Sequence, residues 1–161
     1  MKICVINPGV VHAVPRTLAI RSAFDEIAYV DMKGADDGEL LERHGITYHR
    51  FEADRHQLAS IGLQSLLRRI APSGIICHFA SGSHFFHSLV YNRCPVAVVA
   101  MGQDVLYEAG DAHVGKMLRL LIRMALRRVD FVSAKSNYLA RRITEYGRVK
   151  PMEVNYWGLD L

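Results

Sequence analysis

Cysteine is scarce: Cys4, Cys77 and Cys94 are the only three, and each sits among apolar neighbours. An odd number so placed argues against a disulfide framework and for reduced, cytosolic thiols. No pair has zinc-site spacing, so no metal is expected. No apolar run approaches the roughly 20 residues that span a bilayer. The opening Met1-Lys2-Ile3-Cys4-Val5-Ile6-Asn7 has one basic residue and then strand, which argues against a secretory signal. Several catalytic signatures are missing as well. Asn7-Pro8-Gly9-Val10-Val11-His12 lacks the G-x-G-x-x-G spacing of a dinucleotide loop. There is no G-x-x-x-x-G-K-S/T phosphate loop and no G-x-S-x-G nucleophile elbow. A phosphoacceptor domain would need acidic residues at the end of the first strand, where Asn7 stands. Low-complexity stretches, internal repeats and Ser/Pro/Gly linkers are also absent, so 161 residues read as one domain.

What the chain does have is alternation. Half of it is hydrophobic and 22% charged, the balance of a globular domain. Strand-length apolar runs cover Ile3–Asn7, Glu26–Met32, Ile46–Phe51, Ile75–Phe79, Val96–Met101, Phe131–Ala134 and Met152–Tyr156. Between them, helical periodicity predicts helices over Thr17–Phe24, Gly38–His44, Gln57–Ile70, His84–Asn92, Lys116–Arg128 and Asn137–Tyr146. This is the βαβ pattern of a doubly wound, mostly parallel α/β sheet of six to seven strands with helices on both faces, a single Rossmann-like domain.

In such a sheet, ligands sit beyond the carboxyl ends of the strands. That rule gathers Asn7, Gly9 and His12 from the first strand and His78, Ser81, Gly82, Ser83 and His84 from the fourth. Gly102, Gln103 and Asp104 come from the fifth, and Lys135, Ser136 and Asn137 from the sixth. Each has a plainer reading. Gly9 eases a tight turn, His78 is a hydrogen-bonded structural histidine, and Ser81-Gly82-Ser83 and Ser136 cap the helices that follow. Their agreement on one edge is what marks a site.

The net charge of +4 gathers in two places. Lys116, Arg119, Arg123 and Arg127 recur at helical spacing opposite Leu118, Leu121, Ile122, Ala125 and Leu126; Arg141, Arg142, Arg148 and Lys150 follow. The helix reads either as a solvated face on a core-packed helix or as a peripheral contact with anionic membrane. Without interleaved aromatics or a recognised motif, no nucleic acid is expected.

Four segments resemble the amino-terminal domain of family-4 glycosyltransferases of the two-domain GT-B type. Cys77-His78-Phe79-Ala80-Ser81-Gly82 is similar to the family's H-x-H-W-A-S-G, and Met101-Gly102-Gln103-Asp104-Val105-Leu106 to its H/W-G-S-D-V-L turn. Ala125 to Ser136 resembles A-L-R-R-A-D-x-V-x-A-x-S, and Asn155-Tyr156-Trp157-Gly158-Leu159-Asp160 the N/P-x-G-V-D segment that closes that domain.

The resemblance implies the acceptor-binding half of a retaining, metal-independent glycosyltransferase, inactive without a carboxyl-terminal domain that binds the nucleotide-sugar donor. No cofactor is implied for this half, and the expected acceptor is a glycan or lipid-linked sugar, as in cell-envelope polysaccharide synthesis. His78, His12 and Asp104 are the catalytic candidates. Gly9, His12, His78, Ser81, Gly82, Gly102, Gln103, Asp104 and Ser136 are the substrate-binding candidates, with Gly9 facing donor phosphates. Met101 replaces the family's histidine, and a thioether neither donates a proton nor carries charge. A stand-alone Rossmann-like module for a phosphorylated or nucleotide ligand is the alternative.

Overall fold

The computed structural model describes residues 1–51, 58–80, 83–102, 115–147 and 152–154. Seven strands form one sheet: β1 (Lys2–Asn7), β2 (Glu26–Asp31), β3 (Ile46–Arg50), β4 (Gly74–His78), β5 (Val96–Ala100), β6 (Phe131–Ala134) and β7 (Met152–Val154). Their order is β3-β2-β1-β4-β5-β6-β7 and every pairing is parallel. The chain therefore winds outward from β1 to one edge, then returns and winds to the other. The central strands β1, β4 and β5 are largely apolar and buried because helices cover both faces of a parallel sheet.

Among the described residues six α-helices fill the crossovers: α1 (Ala13–Ala19), α2 (Gly38–Arg43), α3 (Leu58–Ile70), α4 (Ser83–Tyr91), α5 (Gly115–Arg128) and α6 (Asn137–Glu145). Alternate residues of β1 show how they divide. Cys4 and Ile6 join the larger core with buried side chains of α3, α4, α5 and α6, whereas Ile3 and Val5 join a smaller core with α1 and α2. Right-handed crossovers dictate this split, since the direction of winding decides which face receives the helix. In α3, Leu63, Leu66, Leu67 and Ile70 are buried at the i, i+3, i+4, i+7 spacing of one helical face. Helix α6 starts where the Ser136 hydroxyl accepts a hydrogen bond from the Leu139 amide at 3.1 Å.

The anticipated strands and helices are present, with one marked difference. The first helix was expected over Thr17–Phe24 but runs Ala13–Ala19, followed by a 3-10 turn at Arg21–Ala23. Pro15 misleads because proline normally interrupts a helix, yet in the first turn its missing N–H has no helical acceptor to lose. The last strand ends at Val154 within the described residues; Asn155 and Tyr156, the remainder of its anticipated span, lie outside them.

Candidate functional site in the β1–β4 crevice

Strands β1 and β4 are neighbours although two strands separate them in sequence, so the winding reverses between them. Ligands of open α/β sheets occupy the crevice at such a switch point. The loop leaving β1 is braced from beneath. Buried Asn7 accepts hydrogen bonds at Oδ1 from the amides of Gly9 (3.1 Å) and Val10 (2.7 Å). Its Nδ2 donates to Asp36 Oδ2 at 2.6 Å, which also accepts from the Tyr29 hydroxyl at 2.8 Å.

Asp31, fully buried at the end of β2, forms a second brace. Oδ1 accepts from the amides of Lys33 (2.8 Å) and Gly34 (2.9 Å), and Oδ2 from the Asp36 amide (2.8 Å) and the Tyr48 hydroxyl (2.9 Å). Burial alone would raise its pKa, but these donors outweigh it and hold the carboxyl below its usual range. Burial and the neighbouring Asp31 push the Tyr48 phenol up to about 12. Asp31, Asp36, Tyr29, Tyr48 and Lys33 were not anticipated. The one available signal was an aspartate closing an apolar strand shortly before Gly34.

Gly9 adopts φ +98°, and a Cβ there would stand 2.5 Å from Lys33 Cδ and 3.2 Å from its Nζ. The glycine therefore permits both the left-handed turn and the close passage of the Lys33 side chain. An ammonium group is thereby laid across the β1 loop, an arrangement suited to an anionic ligand. His12, next along, is exposed at the start of α1 and makes no side-chain capping bond.

His78 closes β4 and is 3% exposed. Its Nδ1 has no hydrogen-bond partner among the described residues. Burial, then the Arg16 guanidinium, then His84 depress its pKa to about 4, so the ring is neutral at pH 7. His84 Nε2 bonds to the His78 carbonyl at 3.0 Å and ties α4 to the end of the strand. Phe79 follows at φ +79°, a left-handed conformation uncommon outside glycine and often found at functional turns.

Arg16 of α1 reaches across the crevice and donates from Nη1 to Met101 Sδ at 3.1 Å. Thus a guanidinium lies beside the position where the family resemblance leads one to expect histidine. Gly102, buried at φ +122°, follows Met101. Beneath this edge a cavity of about 610 Å³ runs between α1 and the sheet, lined by Arg16, His78, Val5, Ile76, Val99 and Phe131.

The fold thus gathers Gly9, His12, His78 and Gly102 from the ends of β1, β4 and β5. Ser136 stands three strands from β1, roughly 14 Å at ordinary strand spacing, and its hydroxyl is engaged in the α6 cap. Ser81, Gly82, Gln103 and Asp104 lie outside the described residues. Among the described residues no cluster of three or more His, Cys, Asp or Glu side chains could hold a metal ion, and no helix is long and apolar enough to cross a membrane.

A wholly parallel seven-stranded sheet with a polar crevice at its switch point defines a Rossmann-like domain, of the kind paired in GT-B enzymes. The chain belongs to the glycosyl transferase 4-like family, whose model matches residues 2–160. Among solved structures, Anabaena HepE in complex with UDP-glucose is similar at 17% identity and TM-score 0.71, over 99% of this chain and 44% of that one. The UDP-GlcNAc 2-epimerase from Methanocaldococcus jannaschii is similar at 11% identity and TM-score 0.63, over 96% of this chain and 45% of that one. The Neisseria meningitidis UDP-GlcNAc 2-epimerase bound to UDP-GlcNAc gives 11% identity and TM-score 0.60, over 96% and 45%. The chain therefore spans less than half the length of these structures, and the likeness shows a shared fold. No curated protein matches it significantly.

Proposed function

We propose that this domain is the acceptor-binding half of a retaining glycosyltransferase, which transfers a sugar from a nucleotide-sugar donor to a glycan or lipid-linked acceptor. The observation that carries this reading is His78: buried, neutral and, among the described residues, unpartnered at Nδ1, beside the Gly9 loop with Lys33 laid over it. A neutral imidazole in a low-dielectric crevice orients an acceptor hydroxyl by one hydrogen bond, while the Lys33 ammonium faces donor phosphate. Because the ring takes up a proton only near pH 4, it keeps that form throughout the physiological range. Arg16, beside Met101, supplies positive charge where the thioether has none. The donor is held by a second α/β domain, and no resident cofactor or metal takes part.

Family membership supports transfer, and UDP-glucose in the similar Anabaena structure supports a nucleotide-sugar donor. The epimerases share the fold and the Neisseria meningitidis enzyme is bound to UDP-GlcNAc, so the test must separate the two chemistries. The full-length protein containing this chain is given labelled nucleotide-sugars and assayed both for transfer and for epimerised donor. Transfer that falls about 100-fold in His78→Gln, with the fold intact, is the expected result. Epimerisation without transfer would overturn the reading. Tight nucleotide binding by the 161-residue chain with no turnover in the full-length protein would favour the stand-alone binding module.

A further inference from the structure

Helix α5, Gly-Lys-Met-Leu-Arg-Leu-Leu-Ile-Arg-Met-Ala-Leu-Arg-Arg, contains no carboxylate and five basic residues. Its inner side is ordinary: Ile122, Ala125 and Leu126 are buried against the sheet. Its outer side is not. Leu120 is 51% exposed, Met124 55% and Leu121 41%, three of the eight large apolar side chains exposed among the described residues. Arg123, Arg127 and Arg128 are exposed with them. At 100° per residue these six fall on one arc of about 160°, with Leu120 and Met124 between Arg127 and Arg128. A merely solvated face would carry mixed charges and bury its leucines. This one alternates large apolar groups with guanidinium groups of a single sign.

We propose that the outer face of α5 is a docking surface for an anionic lipid bilayer, with Leu120, Leu121 and Met124 entering the headgroup–acyl boundary and the arginines pairing with lipid phosphates. Long arginine side chains keep their charge at headgroup level while their stems lie along apolar surface. Charge complementarity selects this occupant. Among the described residues, Glu145 of α6 is the carboxylate lining the groove with Arg119 and Arg123 at the side of the helix, and it is paired with Arg142 at 2.7 Å. Nucleic acid would use the arginines but gains nothing from exposed leucines, and no aromatic side chain stands among them for stacking. The proposal concerns α5 alone and does not depend on the transfer chemistry or on the acceptor.

Co-sedimentation with vesicles tests it. The chain should bind vesicles of phosphatidylcholine containing roughly one-third phosphatidylglycerol, stay unbound with phosphatidylcholine alone, and be released by salt. Arg123→Gln/Arg127→Gln should lower partitioning about 30-fold, since each cation near an anionic surface contributes roughly five-fold. Leu120→Ser/Met124→Ser should lower it about ten-fold at unchanged net charge. All four positions are exposed, so thermal melts of both variants should match the parent, which keeps folding separate from docking. Failure of the parent chain to bind phosphatidylglycerol vesicles overturns the proposal. Unchanged binding of the serine variant overturns it too, because insertion would then contribute nothing. Tighter binding to duplex DNA than to vesicles, through the same arginines, would assign the surface to nucleic acid instead.

Discussion

Asp31 and His78 end strands on the same edge of the sheet and are both buried, yet burial leaves one charged and the other neutral. The difference lies in what surrounds them. Asp31 accepts three amide bonds and a phenol bond, enough to hold a carboxylate in a low-dielectric site. His78 has no partner at Nδ1 among the described residues, so burial, reinforced by the Arg16 guanidinium, expels its proton. This has a measurable cost in acid. In the unfolded chain His78 titrates near 6.5, whereas in the folded chain it titrates near 4. The unfolded state therefore binds the proton first, and the group's full contribution, present above pH 6.5, is lost as pH falls toward 4. The expected loss is about 3 kcal/mol. Denaturant melts of wild type and His78→Gln across that window check it. His49, His84 and His87 shift in the same direction, so the difference between the two proteins isolates His78. A parallel decline in both would show that the ring is less enclosed than its geometry indicates.

Among the elements, strands were easier to read than helix starts. The short runs at Val96–Ala100 and Phe131–Ala134 announce buried parallel strands, and their observed limits lie within a residue of those expected. Helix α1 was misplaced because its first turn holds Pro15 and has neither a side-chain cap nor an acidic residue. Helix α6 carries the opposite lesson: Ser136 is the kind of residue that opens helices, and it does so here. Ser136→Ala should destabilise the fold by about 1 kcal/mol, read as a shift in the denaturation midpoint. A much larger effect would mean that the hydroxyl does more than cap. The site was legible only where a strand end announced it. Gly9 and His78 follow directly from strand placement, whereas Lys33 and Arg16 reach the crevice from separate elements. Nothing local in a sequence says which distant cation will cross a loop.

At the scale of the whole molecule, winding outward from β1 in both directions makes β1 and β4 the centre and β3 and β7 the edges. Among the described residues four helices pack on one face and two on the other, and a cavity of about 610 Å³ lies on the second face between α1 and the sheet. Hydrogen exchange should report this arrangement, with the amides of β1, β4 and β5 slowest and those of three-residue β7 fast. Equal protection in β7 and β1 would contradict it. The parallel doubly wound sheet was foreshadowed by the alternation of runs, because a right-handed parallel crossover leaves few other ways to fold such a chain, and family membership by the four matching segments.

The Asn7 brace reaches beyond stability. It grips the backbone of Gly9 and Val10 from below through amide bonds, so the entry to the crevice takes its shape from residues that a ligand need not touch. The exposed tip, Val11 and His12, is left chemically uncommitted. A lineage with this brace can exchange the tip like the bit of a drill, altering what the crevice accepts while the chuck that holds it stays closed.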